Sequence, residues 1–199
     1  MRIVVLGGSF NPPHNGHLII ASDAFEALKL DLLYIIPAAA NPLKAGGPGG
    51  ASPEQRLEMV RLTFGSDPRF EVSAVEIERG GLSFTVDTLE TLARQHPGAD
   101  LVLLLGIDSL KSMDRWHQPE RIRELATLAA LARGDAEGES TDEVQTVTTR
   151  RVDVSSTEIR ARLAEGRPVK GFVAESVERY ISAAKLYRSH DGAGAPLPS

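Results

Sequence analysis

Two imidazoles three residues apart, His14 and His17, close the stretch Gly7-Gly8-Ser9-Phe10-Asn11-Pro12-Pro13-His14-Asn15-Gly16-His17. On the first turn of a helix this spacing puts both rings on one face. The glycines ahead of them let backbone N–H groups come close to an anion, and a helix N-terminus adds partial positive charge. Pro12 and Pro13 stiffen the approach. The chemistry these residues can do is to hold a phosphate and stabilise charge that develops on it. A dinucleotide fingerprint does not fit, because the prolines stand where the Gly-x-Gly-x-x-Gly turn would open its helix. The familiar zinc patterns lack their ligands, since the chain has no cysteine and no His-Glu-x-x-His. Two surface histidines on a capped helix would account for His14 and His17, but not for paired glycines and prolines in the same loop.

A second hydroxyl-rich stretch lies near the other end, Val154-Ser155-Ser156-Thr157-Glu158-Ile159-Arg160. Ser155 or Ser156 can cap a helix here. Hydroxyls at a helix start with Arg160 one turn in also make a polyphosphate site. Between the two stretches, Gly106-Ile107-Asp108 follows the apolar run Leu101 to Leu105. Asp108 is placed either to accept from the two hydroxyls of a ribose or to cap the next helix.

The elements that must position these groups are read from apolar patterning. Ile3 to Leu6, Leu32 to Ile36 and Leu101 to Leu105 are continuous apolar runs of the kind buried on both faces of a parallel sheet. Leu18 to Leu28 has helical spacing, so the first 36 residues read as a βαβ unit. Pro37 to Ser52 reads as a loop carrying Asn41 and Lys44 at the end of the second strand, where α/β sheets bind ligands. Ser52-Pro53-Glu54 opens a helix. Phe70 begins a strand expected to run toward Ile77. Ser83 is expected to cap a helix, with Asp87 completing a capping box. Glu120 to Leu125 reads as a short helix, Ala126 to Ala132 and Val144 to Val152 as strands, and Phe172 to Tyr187 as a closing helix. The expected fold is α/β, a Rossmann-like three-layer sandwich with a mostly parallel central sheet and helices on both faces. A single domain spans 1–189, and 190–199, rich in Gly, Ala and Pro, reads as a disordered tail.

Composition sets the outer limits. The chain has 199 residues, enough for one sizeable core. With 22 Lys and Arg against 27 Asp and Glu, the formal charge is −5, which gives no reason to expect bulk binding of nucleic acid. The acidic stretch 134–143 is assigned no chemistry. No run is long and apolar enough to cross a membrane, and the N-terminus lacks the ordered regions of a secretory leader, so the expectation is a cytoplasmic protein. A homo-oligomer is compatible with the sequence.

The motifs in combination resemble the nucleotidyltransferase superfamily with its His-x-Gly-His signature, and within it the nicotinate-nucleotide adenylyltransferase family. Gly7 to His17 is similar to that family's Gly-Gly-[Ser/Thr]-Phe-Asp-Pro-x-His-x-Gly-His, with Asn11 in place of Asp. Asn41-Pro42-Leu43-Lys44 is similar to its Asn-Pro-x-x-Lys stretch. Glu76 to Leu89 matches its segment lining the nicotinate site, Gly106, Asp108, Leu110 and Trp116 match its Gly-x-Asp-x-Leu and tryptophan, and Ser155 to Arg160 match its ATP-phosphate motif. The resemblance implies ATP contacts from Gly7, Gly8, Ser9, Phe10, His14, His17, Gly106, Asp108, Ser155, Ser156, Thr157 and Arg160. It implies nicotinate mononucleotide contacts from Asn41, Lys44, Ser83, Phe84, Thr85 and Trp116, the last stacking on the pyridine ring. His14, His17 and Arg160 are the expected catalytic groups. Mg²⁺ is expected to arrive with ATP and to need no protein ligand. The implied reaction is adenylyl transfer from ATP to nicotinate mononucleotide. A pantetheine-phosphate adenylyltransferase would share the two phosphate motifs but lack the Ser83 to Leu89 segment. A non-catalytic nucleotide sensor would not need His14, His17 and Arg160 intact.

Overall fold

The computed structural model describes residues 1–40, 42, 50–133 and 144–188. Its strands are β1 (Arg2–Gly8), β2 (Leu32–Pro37), β3 (Phe70–Val72), β4 (Asp100–Gly106), β5 (Thr127–Arg133) and β6 (Val144–Thr149). They form one sheet in the order β3-β2-β1-β4-β5-β6, and every pairing is parallel. This is the doubly wound order, in which the chain moves outward from β1 in one direction and then returns to build the other half from β4.

The helices are α1 (Asn15–Leu28), α2 (Pro53–Phe64), α3 (Val75–Arg79), α4 (Thr85–Gln95), α5 (Ile107–Lys111), α6 (Pro119–Leu125), α7 (Ser156–Ala164) and α8 (Glu175–Ala183), with a 3₁₀ turn at Met113–Arg115. Alternate residues of β1 serve opposite layers. Val4 and Leu6 pack with Ala21, Ala24 and Leu28 of α1 and with Val60 and Phe64 of α2. Ile3 and Val5 pack with Val86, Leu89 and Leu92 of α4 and with Ile122 of α6. Both faces are covered, which is why the strand is apolar throughout. A third cluster joins Met59 of α2 to Ile159 of α7 and to Val177 and Ile181 of α8, fixing the last two helices beside α2. No helix among the described residues is long and apolar enough to cross a membrane.

Four expected boundaries move. The strand begun at Phe70 does not reach Ile77: it ends at Val72, and Ser73 Oγ accepts from the Val75 amide as the chain turns into α3. Ser83 does not cap α4. The N-cap is Phe84, with no side-chain cap, and the Ser83 hydroxyl is taken by the Ala39 amide at 2.8 Å. The last strand stops at Thr149 rather than Val152, because Arg150 turns away to Asp23 of α1. The closing helix is confined to Glu175–Ala183; Lys185 and Tyr187, past its end, take positive φ.

Candidate active site

Pairing at the middle of the sheet opens a crevice. β1 stays paired with β2 as far as Gly8–Pro37, but its pairing with β4 ends at Val5–Leu103. The carboxyl ends of β1 and β4 therefore part at the point where the strand order reverses, the usual ligand position of this architecture. Gly7 and Gly106 stand on the two sides. A Cβ on either would meet nothing within 4 Å, so the packing of the protein does not demand these glycines, whereas close approach of a ligand would.

Packing does demand the other two glycines of the loop. A Cβ on Gly8 would lie 3.0 Å from the ring of Phe10, and one on Gly16 would lie 2.9 Å from Nδ1 of His14. Phe10 is buried with a positive φ of 44°, and its ring meets His17 edge-on at 5.0 Å. The peptide between Asn11 and Pro12 is cis. His14 is the N-cap of α1 and His17 its third residue. The His14 amide donates to His17 Nδ1 at 3.2 Å, and the His17 amide donates back to the His14 carbonyl at 2.9 Å. The two rings lie against one another, with centroids 3.7 Å apart and planes tilted by 30°. The expectation of one shared face is met, and Gly16 is what leaves room for it.

The second phosphate stretch is attached directly to the first. Ser156 Oγ donates to the Pro12 carbonyl at 2.7 Å, and Arg160 Nη1 donates to the Asn11 carbonyl at 2.7 Å. Arg160 Nη2 also reaches Thr157 Oγ1 at 3.3 Å. Ser155 caps α7 by accepting from the Glu158 amide at 3.1 Å. Six residues separate the end of β6 from α7, and Asp23 secures the first of them: the Arg150 amide and guanidinium both donate to its carboxylate. That hydrogen bonding holds the Asp23 carboxyl below the ordinary carboxylate range.

On the opposite side of the crevice, Ser83 joins two segments. Its hydroxyl accepts from the Ala39 amide, and its own amide donates to the Ala40 carbonyl at 2.9 Å. The first turn of α4, at Thr85, follows immediately. Beneath it, Thr88 Oγ1 donates to the buried carboxylate of Glu76 at 2.7 Å. Burial pushes the Glu76 carboxyl up, against the lowering effect of hydrogen bonds from Ser83 and Thr88. Phe84 lies 4.5 Å from His117, centroid to centroid. Trp116, next in the chain, packs on the cluster beneath the sheet, and its Nε1 has no hydrogen-bond partner among the described residues. Asp108 lies exposed in the first turn of α5, whose N-cap is Gly106, so it does not cap that helix. Asn41 and Lys44, the stretch 134–143 and the tail from 189 onward lie outside the described residues.

Two residues of this region escaped the sequence reading. Arg56 of α2 is 7% exposed; its Nη1 donates to the Ser9 carbonyl and its Nη2 to the Ala39 carbonyl, both at 2.8 Å. Tyr187 donates to Asn11 Oδ1 at 2.6 Å, and burial pushes its phenol up, so it stays a donor. Arg56 carries a faint signal, a cation in line with Met59, Val60 and Thr63 on the buried face of its helix. Tyr187 carries none, since the pattern makes it the last residue of the closing helix, whereas the helix ends at Ala183.

A family model described as cytidylyltransferase-like matches residues 5–162, which include the second half of β1, the other five strands, and both the Gly7–His17 and the Val154–Arg160 stretches. A protein of Gemmatimonas aurantiaca, named "Probable nicotinate-nucleotide adenylyltransferase", is 47% identical over 200 residues, covering 96% of this chain and 94% of its own. One of Thermus thermophilus with the same name is 44% identical, covering 94% of this chain and all of its own. The chain belongs to the nicotinate-nucleotide adenylyltransferase family. Among solved structures, nicotinic acid mononucleotide adenylyltransferase of Plasmodium falciparum, in complex with NaAD, superposes with a TM-score of 0.76 over 94% of this chain and 97% of that one. At 16% identity that likeness concerns the fold, a Rossmann-like nucleotidyltransferase architecture. Membership agrees with the resemblance read from the motifs, with Asn11 in the place of the family's Asp.

Proposed function

We propose that this chain transfers the adenylyl group of ATP to nicotinate mononucleotide, giving nicotinate adenine dinucleotide and pyrophosphate. The observation that carries this reading is the direct attachment of α7 to the loop after β1, through Ser156 to Pro12 and Arg160 to Asn11. It sets imidazoles, hydroxyls and a guanidinium around one crevice. A triphosphate lying there meets His14 and His17 near its α-phosphorus and Ser155, Ser156, Thr157 and Arg160 along its outer phosphates, while Gly7, Gly8, Ser9, Phe10, Gly106 and Asp108 bound the nucleoside.

The mononucleotide enters from the β2 side, against Ser83, Phe84, the first turn of α4 at Thr85, and Trp116; Asn41 and Lys44 belong to the same side by sequence. Its 5′-phosphate oxygen attacks the α-phosphorus in line, the bond to the bridging oxygen breaks, and pyrophosphate leaves. No covalent intermediate on the protein is needed. The protein positions the reactants and stabilises charge on the transferring group, the main work of enzymes that move phosphoryl and nucleotidyl groups. Among the described residues no group of three or more His, Asp or Glu could hold a metal ion. The donors at the crevice suit phosphate oxygens instead, so Mg²⁺ is taken as part of the triphosphate substrate.

A paired steady-state assay tests the reading. Pyrophosphate release from ATP is followed with nicotinate mononucleotide, nicotinamide mononucleotide or phosphopantetheine as acceptor. The expected result is turnover with the nicotinate form at the highest kcat/KM, and none with phosphopantetheine. Turnover with phosphopantetheine alone would reassign the acceptor; ATP binding without any turnover would make the protein a sensor.

A further inference from the structure

Among the described residues, Arg56 is the only arginine or lysine that is buried, and it has no carboxylate partner in any ion pair. A buried cation with no carboxylate in direct contact is costly, so its surroundings must repay it through hydrogen bonds. Burial pulls the guanidinium down from its ordinary value, with the charges of Glu54 and Glu76 among those opposing. The two hydrogen bonds it makes fall at a particular place. The β1–β2 ladder closes with the Ala38 amide donating to the Gly8 carbonyl at 2.9 Å. One residue further along each chain, the carbonyls of Ser9 and Ala39 turn to Arg56. The guanidinium thus bridges the two loops just where the sheet ceases to hold them together.

The bridge continues beyond Ala39, whose amide donates to Ser83 Oγ, one residue before the N-cap of α4. Ser9, Arg56, Ala39 and Ser83 therefore form one chain of hydrogen bonds that runs from the β1 loop to the start of α4. A planar fork with its donors in fixed geometry suits this task, because it sets the distance between two acceptors where a single ammonium cannot.

We infer that Arg56 is a positioning residue for the transfer step, setting the separation between the loop at the α-phosphate and the segments that hold the mononucleotide. The inference rests on the reaction proposed above. Displacing one reactant by about an ångström is enough to cost about 10²-fold in rate. Besides the bridge, the two sides meet through the β1–β2 ladder, which a substitution at Arg56 leaves in place, so binding of either substrate alone depends little on the bridge.

The test is Arg56→Lys, which keeps the charge and loses the fork, measured beside the wild type. The expected result is a kcat lower by about 30- to 100-fold, with the separate dissociation constants of ATP and nicotinate mononucleotide each within about threefold of wild type. Combined with Ser83→Ala, the two losses in kcat should fall short of multiplying, since both act on Ala39. A kcat within twofold of wild type, losses that multiply in full, or a lysine variant that loses affinity for both substrates in proportion to kcat would overturn the proposal. Arg56→Gln is measured against the same outcomes, and failure of both variants to fold would make the residue part of the scaffold alone and also overturn it. A wild type that releases no pyrophosphate sinks the underlying reaction; an active wild type with an unaffected Arg56→Lys sinks only the inference.

Discussion

On the side of the crevice proposed to hold the adenylyl donor, the candidate groups are tied to one another. The His14 and His17 rings lie together, Ser156 and Arg160 hold the carbonyls of the loop that carries those rings, and Tyr187 and the Ala51 amide hold Asn11 from behind. On the side proposed for the mononucleotide the groups are held mainly from below. Ser83 and Glu76 anchor the start of α4, yet the helix has no side-chain cap and Trp116 Nε1 has no partner among the described residues. Buried donors normally find acceptors. On the proposed reading the first half presents fixed groups to the reaction, and the second leaves the Trp116 N–H to be satisfied by what it binds. Apart from the Arg56–Ala39–Ser83 bridge, which spans both, substitutions on the two sides should therefore fail differently, the first in rate and the second in affinity.

The largest effect is expected at His17. His17→Ala should lower kcat by roughly 10²-fold or more, the scale for a group that stabilises charge in the transition state. It also removes the acceptor of the His14 amide, a capping interaction worth about 1 kcal/mol. A thermal melt should therefore show a small shift and no loss of fold. Gly16→Ala is the companion. In an ordinary helix interior alanine is favoured over glycine by about 1 kcal/mol. Here the new Cβ would sit 2.9 Å from His14 Nδ1, so the ring must move. A kcat drop without a gain in Tm is expected. If His17→Ala turns over within threefold of wild type, the imidazole has no place in the transfer step.

The same contrast explains which features are legible in the sequence. Most of the proposed adenylyl side is written in contiguous motifs, because its rings sit three positions apart and α7 announces its own start, as Ser155 does by capping it; the ties from Tyr187 and Ala51 to Asn11 span the chain and leave no such mark. The strands that carry it were legible for a similar reason: burial on both faces forces unbroken apolar runs such as Leu101 to Leu105. What could not be read joins residues far apart in the chain. Arg56 acts on carbonyls of Ser9 and Ala39, and backbone acceptors leave no mark in a sequence. Ser83 looked like a cap because Asp87 stood in register behind it. The structure gives its hydroxyl to Ala39, and local capping loses to a longer-range tie. The run after Phe70 looked like more strand, yet Glu76 is needed inward for Thr88 and the chain turns helical to deliver it.

Trp116 tests the second half of the comparison. Trp116→Leu keeps an apolar side chain against the cluster beneath the sheet and removes the flat face and the indole N–H. Aromatic stacking is worth about 0.5–1.5 kcal/mol beyond buried area, which corresponds to roughly a 2- to 10-fold change in affinity. The KM for nicotinate mononucleotide should rise by that factor, with the KM for ATP within about twofold, and Trp116→Phe should recover part of the loss. Equal rises in both KM values would mean the residue supports the fold of the crevice and not one substrate.

The smallest effect concerns Glu76 and reads out in stability. Its carboxyl is raised above the ordinary 4.5 chiefly by burial, so in the folded protein it gives up its proton at a higher pH than in the unfolded chain. Below about pH 4.5 both states hold the proton and the burial of this group carries no charge penalty. As the pH rises through the raised folded value, the unfolded chain has already ionised and the folded state must follow at a cost, so this group's contribution to stability is lost over that window. Glu76→Gln removes the charge and keeps an oxygen for the Thr88 hydroxyl. At pH 7 the variant should be as stable as wild type or more stable by about 1 kcal/mol, a Tm gain of about 2–4 °C for a chain of this size. Thermal melts of both proteins from pH 4.5 to 7.5 check it: the gap between their Tm values should widen with pH. Parallel curves would mean that the hydrogen bonds from Thr88 and Ser83 balance burial, and a gap that narrows with pH would mean that they outweigh it.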